Sequence, residues 1–259
     1  MEGENPKMII SSQQKKSTPD GCPHNSSISC GNCRLGSICL PLALEDDDVV
    51  KLDEIVRRGR PLQKNEHLYR ERDEFCSVYA VRAGAIKAYH ITGDGEEQVT
   101  GFYFPGEIIG MDGIAKGKYA CSAKALETSA VCEIPFHRLE ELSSMVPSMQ
   151  RHFFQLMSQE ITTDQKLITL LSKNSAEERI ASLLISISAR NARRKLSETH
   201  FRLPMSRTDI GNFLGLTVET VSRVISRFNK QGLISVDSKE VVLLDLEGLK
   251  ETANIKTDY

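Results

Sequence analysis

Between about residue 60 and residue 145 the apolar residues fall in short strand-like runs broken by glycine turns, and from Pro147 onward they recur at helical spacing. Stretches 77–81 and 86–91 read as strands, Thr92-Gly93-Asp94-Gly95 as a turn, and 98–104 as the strand that returns. Further short strands are expected at 122–125 and 129–134. Several short strands at regular spacing indicate an antiparallel sandwich, jelly roll or barrel. A short amphipathic helix is expected ahead of them, over 46–55. The class is therefore α+β, with an N-terminal antiparallel β-roll or jelly roll, a long helix, and a C-terminal helical domain.

The chain has 259 residues, 40% of them hydrophobic, which suffices to bury a core in one or two domains. No run approaches eighteen apolar residues, and the first twenty residues hold only Met8-Ile9-Ile10 as an apolar stretch. A soluble, cytoplasmic protein is expected, with no membrane partner. Residues 1–21 are polar and aperiodic and are expected to be a disordered tail. The net charge of −2 hides an asymmetry. Residues 175–234 carry ten Lys or Arg against five Asp or Glu, which places a local +5 on the C-terminal region alone.

Pro147 opens the longest helical pattern, reaching about Lys173. Within it Phe154, Met157, Ile161, Asp164, Ile168 and Leu171 recur at heptad spacing, with one aspartate in the row. Two readings stand side by side. The helix packs into the core with one solvent-facing acid, or it pairs with a second copy whose aspartate faces its own. In the second case two carboxylates repel across the seam and lose hydration, so the dimer is marginal, as a switch requires.

Further on, Ser206 and Asp209 fit a capping box before Ile210-Gly211-Asn212-Phe213-Leu214, a short helix. Gly215-Leu216-Thr217 reads as a tight turn, with Thr217 the cap of the next helix. Val218, Val221, Ile225 and Phe228 give that helix one apolar face, and Glu219, Ser222, Arg223, Ser226, Arg227 and Lys230 lie opposite. Two short helices about a tight turn, the second polar and basic, make a helix-turn-helix. Arg donates two bonds to guanine, Glu accepts from the cytosine amine, and the first turns of such a helix meet base edges. Base reading is assigned to Glu219, Ser222 and Arg223, and phosphate contact to Arg227 and Lys230. Stretches 232–236 and 240–244 read as a hairpin, which makes this a winged variant.

Seven cysteines in a reducing compartment point to metal or redox chemistry. Cys30-x2-Cys33-x5-Cys39 sets three thiols within ten residues, in a loop too polar to build its own core. A four-thiolate iron–sulfur cluster needs one more, from Cys22 nearby or from Cys76, Cys121 or Cys132. Zinc is less suited, because only one CxxC pair is present.

Taken together, C-x2-C-x5-C, GDGEEQVTGF, ALETSAVCEIPF, LLSKNSAEERIA and DIGNFLGLTVETVSRV resemble the FNR family of oxygen-responsive regulators, within the cyclic-AMP receptor protein superfamily. The resemblance spans about residues 30–250. It implies a cysteine-rich arm at 22–45, a β-roll at 46–146, a dimerisation helix at 147–173, a winged helix-turn-helix at 174–250 and a tail at 251–259. It implies a [4Fe-4S] cluster on Cys30, Cys33, Cys39 and Cys132, the last because it stands within the family-like V-C-E-I-P. It also implies that the loaded protein dimerises and binds palindromic double-stranded DNA with TTGAT-like half-sites. Oxygen would convert the cluster to a [2Fe-2S] form and release the dimer. Ile161 and Asp164 match the family's dimer-switch positions, and the loop with Ile91, Gly95 and Glu96 matches a surface that touches RNA polymerase.

Departures from the pattern are the surplus thiols Cys22, Cys76 and Cys121; Cys121 leaves the fourth ligand slightly open. A cyclic nucleotide is not expected. Gly106-Glu107 is present, but the position of the phosphate-binding Arg-Ser pair reads Cys121-Ser122, which removes the bidentate partner of the phosphate. Two other classes compete: a regulator of this fold that answers a small ligand or thiol oxidation, and an enzyme or electron carrier. The second lacks any catalytic motif, since Gly117-Lys118 is followed by Tyr119 without the upstream glycine of a phosphate loop.

Overall fold

The computed structural model describes residues 29–254. The expected tail over 1–21 and Cys22 lie outside the described residues. Helix α1 (Asp46–Ile55) precedes eight strands: β1 (Arg57–Arg58), β2 (His67–Tyr69), β3 (Ser77–Ala83), β4 (Ile86–Ile91), β5 (Glu97–Tyr103), β6 (Ile108–Ile109), β7 (Ser122–Ala125) and β8 (Ala130–Pro135). They form two four-stranded antiparallel sheets, ordered β1-β8-β3-β6 and β2-β7-β4-β5. Side chains from both, among them Tyr69, Val81, Ile86, Ile109 and Ala123, close the interior between the sheets. The β-roll expectation therefore holds. Strand β8 begins one residue late because the main chain of Ser129 pairs with Leu62 instead, its N–H donating to the Leu62 carbonyl at 2.9 Å.

The first sheet turns its other face to a second core. There Val78, Ala80, Ile108 and Ile134 meet Leu52 and Ile55 of α1, then α2 (Phe136–Met145) and the start of α3 (Pro147–Lys173). Pro147 sits in the first turn of α3, where its missing N–H costs nothing. The cysteine-bearing loop is ordered from outside, as its composition requires: Leu40 is buried in this core with Met149 and Phe153 of α3.

The C-terminal elements are α4 (Ala176–Arg193), β9 (His200–Arg202), α5 (Arg207–Leu214), α6 (Val218–Lys230), β10 (Ile234–Asp237), β11 (Glu240–Leu243) and α7 (Leu246–Thr252). Their core is continuous with Tyr89, Val99, Phe102 and Phe104 on the second sheet. A buried ion cluster marks the junction. Lys87 of β4, only 4% exposed, donates to Glu97 at 2.6 Å and to Asp209 of α5 at 2.5 Å, while Lys124 also bonds Glu97. The ring of Phe102 lies 5.0 Å from that of Phe213. Burial alone would raise the pKa of Asp209, but hydrogen bonds from Lys87 and Ser206 outweigh it and hold the carboxyl below its ordinary value. Lys87 is correspondingly pushed up, its two carboxylates overcoming the cost of burial.

The tail expected from residue 251 begins later, because α7 runs to Thr252 and buries Leu249 and Ala253 against α4. On α6 the apolar face is Val221, Val224, Ile225 and Phe228, while Val218 is exposed. Val218 occupies the first turn, beyond the reach of the domain core, and Val224 takes the place expected of it. Among the described residues no helix is long and apolar enough to cross a membrane.

Candidate functional site

The helix-turn-helix is built as its local chemistry dictates. Ser206 accepts from the Asp209 N–H at 3.0 Å, and the Asp209 carboxylate accepts from the Ser206 N–H at 2.9 Å, closing the capping box of α5. At the turn the Leu216 N–H bonds the Gly211 carbonyl at 2.9 Å. A Cβ on Gly211 would stand 2.6 Å from the Leu216 carbonyl oxygen, so only glycine lets the two helices close this tightly. Gly215 takes the left-handed conformation, φ 63°, that ends α5. Thr217 then caps α6, accepting from the Thr220 N–H at 3.2 Å.

Buried Val221, Val224, Ile225 and Phe228 fix the rotation of α6. Glu219, Ser222, Arg223, Ser226, Arg227 and Lys230 are consequently all exposed on one face. Arg227 is ion-paired with Glu177 at the start of α4. Strands β10 and β11 form the expected wing, and β9 adds a third strand that the sequence did not signal.

The cysteines separate into two environments. Cys30, Cys33, Cys39 and Cys132 line one cavity with Leu40 and Arg58. Cys121 is buried in the roll interior with Tyr69, and Cys76 is exposed. Among the described residues no three His, Cys, Asp or Glu side chains converge on a point that would clasp a single ion. The thiols instead rim the cavity, and Cys30, Cys39 and Cys132 each lie near enough to another of them to feel its charge. Burial pushes the Cys30 and Cys39 thiols up to about 12 and raises Cys132 as well.

Two charged residues that cysteine spacing could not reveal frame this cavity. Arg58 is the cross-strand partner of Cys132. It is ion-paired with Asp53, and its Nη2 donates to Cys30 Sγ at 3.4 Å. Asp53 Oδ1 also accepts from the Cys30 N–H at 2.7 Å. A sequence signal existed only in part: Asp53 falls on the helix expected over 46–55, one turn from the basic pair Arg57-Arg58.

On α3 the first turns are buried through Met149, His152 and Phe153. Beyond them Phe154, Ile161 and Ile168 are 57%, 59% and 66% exposed, and Asp164 is exposed between them. The row therefore does not pack into the core as a whole: Phe154, Ile161 and Ile168 face outward, while Met157 packs on the core of the first sheet and Leu171 is half-buried.

A Crp-like helix-turn-helix domain family matches residues 178–252, and a cyclic nucleotide-binding domain family matches 59–145. The transcriptional activator protein anr of Pseudomonas aeruginosa is 55% identical over 83% of this chain and 88% of its own length. The fumarate and nitrate reduction regulatory protein of Escherichia coli is 44% identical over 88% of this chain and 91% of its own.

The chain belongs to the FNR family of transcription regulators. It is therefore a regulator and not an enzyme. Among solved structures, FixK2 from Bradyrhizobium japonicum superposes with a TM-score of 0.71 at 28% identity, covering 76% of this chain and 97% of that one. In this FNR-family chain the β4–β5 turn exposes Ile91, Gly95 and Glu96. Thr92 closes the turn, its N–H donating to the Glu96 carbonyl at 2.9 Å, and Gly95 takes φ 86° there. Glu160 of α3 accepts from the Tyr103 hydroxyl at 2.7 Å, which fastens the helix to β5. Burial raises the pKa of Glu160, and the nearby Asp164 carboxylate raises it further.

Proposed function

We propose that the protein switches transcription between aerobic and anaerobic conditions: a [4Fe-4S] cluster on Cys30, Cys33, Cys39 and Cys132 permits homodimerisation, and the dimer binds a DNA palindrome of TTGAT-like half-sites. The observation that carries the reading is the meeting of all three arm thiols with Cys132, and not with Cys121, around one cavity. That donor set suits a cluster, since four thiolates supply its ligands. When bound, the cluster supplies lability toward oxygen.

The rest of the switch lies in this chain's own residues. Cys39 directly precedes Leu40, and Leu40 packs on Met149 and Phe153 at the start of the dimer helix. Order in the arm is thereby felt where α3 leaves the roll. Farther along, Phe154, Ile161 and Ile168 offer an apolar seam that a second copy of this chain would cover. Asp164 opposes its own twin across that seam, and desolvation by its neighbours on the helix already raises its pKa in the single chain. Asp164→Ala should therefore strengthen the aerobic dimer by about 1–3 kcal/mol, roughly five- to 150-fold in dissociation constant. Sedimentation in air reads this directly; a variant as monomeric as the parent contradicts the seam.

DNA reading falls to Glu219, Ser222 and Arg223 on the exposed face of α6, with Lys230 on phosphate. Arg227 joins it on phosphate by exchanging Glu177 for the backbone. Arg223→Ala should cost about 1–3 kcal/mol on the preferred site and relax the choice of base there. A uniform loss across sequences would make it a phosphate contact. The exposed loop with Ile91, Gly95 and Glu96 would meet RNA polymerase. A cyclic nucleotide is not the signal on this reading: the rings of Tyr69 and Tyr119 stack 3.8 Å apart inside the roll, and Cys121 is buried beside them.

The test is analysis of iron and sulfide in protein purified without air, with its visible spectrum before and after aeration. A coloured protein with about four irons and four sulfides per chain, bleached by air, is expected. A colourless anaerobic protein with full DNA affinity would overturn the cluster.

A further inference from the structure

The dimer helix and the DNA-binding domain are joined by only two non-helical residues, Asn174 and Ser175. Ser175 caps α4 with its own capping box, so the chain changes direction there sharply. One side chain spans the joint. Arg179, in the first turns of α4, donates from Nη2 to the Leu171 carbonyl at 2.8 Å and from Nε to the Asn174 carbonyl at 2.9 Å. Its Nη1 donates to the Leu214 carbonyl, also at 2.9 Å.

These acceptors are not equivalent backbone. Leu171 lies in the last turn of α3, and Leu214 is the last residue of α5. Both belong to the terminal carbonyls that a helix cannot satisfy from within. The two helices therefore point their negative ends at one half-buried cation. Arginine suits the place because its planar fork keeps donors in fixed directions and stays charged; an ammonium is a point charge that cannot span three separated acceptors in the same way. The fit extends to the turn of the helix-turn-helix, where a Cβ on Gly215 would lie 3.6 Å from Arg179 Nη1.

We propose that Arg179 is the positioning residue that sets the angle between the dimer helix and the helix-turn-helix, and so the separation of the two recognition helices in the dimer. The inference rests on the proposed reading of a palindrome by a dimer. Its geometry is demanding: half-sites recur about one helical turn of DNA, roughly 34 Å, apart, and a rotation at the joint moves each α6 along or out of its groove. Arg179 does not touch the exposed face of α6 and meets the heptad row only at the main-chain carbonyl of Leu171, its last member, so its loss removes no base contact and no side chain of the seam.

The experiment uses full-length protein purified without air, as parent, Arg179→Ala and Arg179→Lys. Lysine keeps the charge and most of the packing if the alanine variant fails to fold. Sedimentation gives the dimer, and binding is measured on the preferred palindrome and on versions with one base pair added to or removed from the spacer. The variants should dimerise as the parent does, bind the preferred palindrome at least tenfold more weakly, and discriminate less between the three spacings. A parent-like spacing preference in Arg179→Lys, with or without a uniform loss of affinity, overturns the positioning role. A dimeric parent that shows no preference for any palindrome overturns both this inference and the reading beneath it.

Discussion

Cys132→Ala is expected to leave anaerobic protein colourless and monomeric, whereas Cys121→Ala should stay coloured, dimeric and able to bind its palindrome. Cys132 sits on β8 opposite Arg58 and lines the cavity with the three arm cysteines. Cys121 faces the other way, into the packed interior of the roll, where burial and the neighbouring Asp112 raise its pKa and leave it an inert thiol. Monomeric protein can grip only one half-site at a time. The loss of the second contact should lower palindrome affinity about 10²-fold or more. Absorbance near the visible band of the cluster, measured beside sedimentation, checks both halves of the prediction. Colour retained in Cys132→Ala and lost in Cys121→Ala would reverse the assignment of the fourth ligand.

A second large effect is expected far from the cysteines. Lys87→Ala should destabilise the protein by about 3 kcal/mol or more, because Asp209 then stays buried with its charge unpaired. For a protein of this size the thermal midpoint should fall by roughly 10 °C. Glu97 keeps Lys124, so the burden falls on the junction with α5 rather than on the sheet. The pH dependence has a definite sign. Glu97 and Asp209 are held below their ordinary pKa near 4, so the stability they contribute is present above that pH and lost as acid protonates them. Lys87 is raised above 10.5, so its contribution is present below that pH and lost in strong alkali. Between these limits the parent should exceed the variant by a constant amount, and in acid the difference should shrink. A thermal midpoint within about 2 °C of the parent at neutral pH would show that the cluster of charges does not hold the junction.

Much of this architecture was legible because the relevant signals are local. Period-two runs and glycine turns marked the roll, and Pro147 with the heptad row marked α3. Ser206, Asp209, Gly215 and Thr217 located the helix-turn-helix almost to the residue, since caps and left-handed turns are written in single side chains. What stayed hidden depends on residues distant in the chain. Lys87 stands in a strand, where a lysine normally marks the solvent face; it is buried only because α5 covers that face and brings Asp209 to it. Arg58 and Asp53 meet Cys30 only once the arm folds back on α1. Val224 displaced Val218 on the core face because helical spacing alone does not say where the core stops. Helix α2 and strand β9 carried no distinctive boundary signal. Spacing supplied only three of the cavity's thiols; Cys132 came from the family resemblance alone, and the sheet register is what brings it beside them.

On the proposed switch, thiolate ligation in the arm decides whether α3 pairs, and only the pair grips its palindrome. This is tested most directly by sedimentation and palindrome binding on one preparation, first anaerobic and iron-loaded, then aerated until colourless. A dimer with tight binding is expected before air, and a monomer with affinity about 10²-fold lower or worse after it. Iron-free protein that remains equally dimeric and equally avid would contradict it.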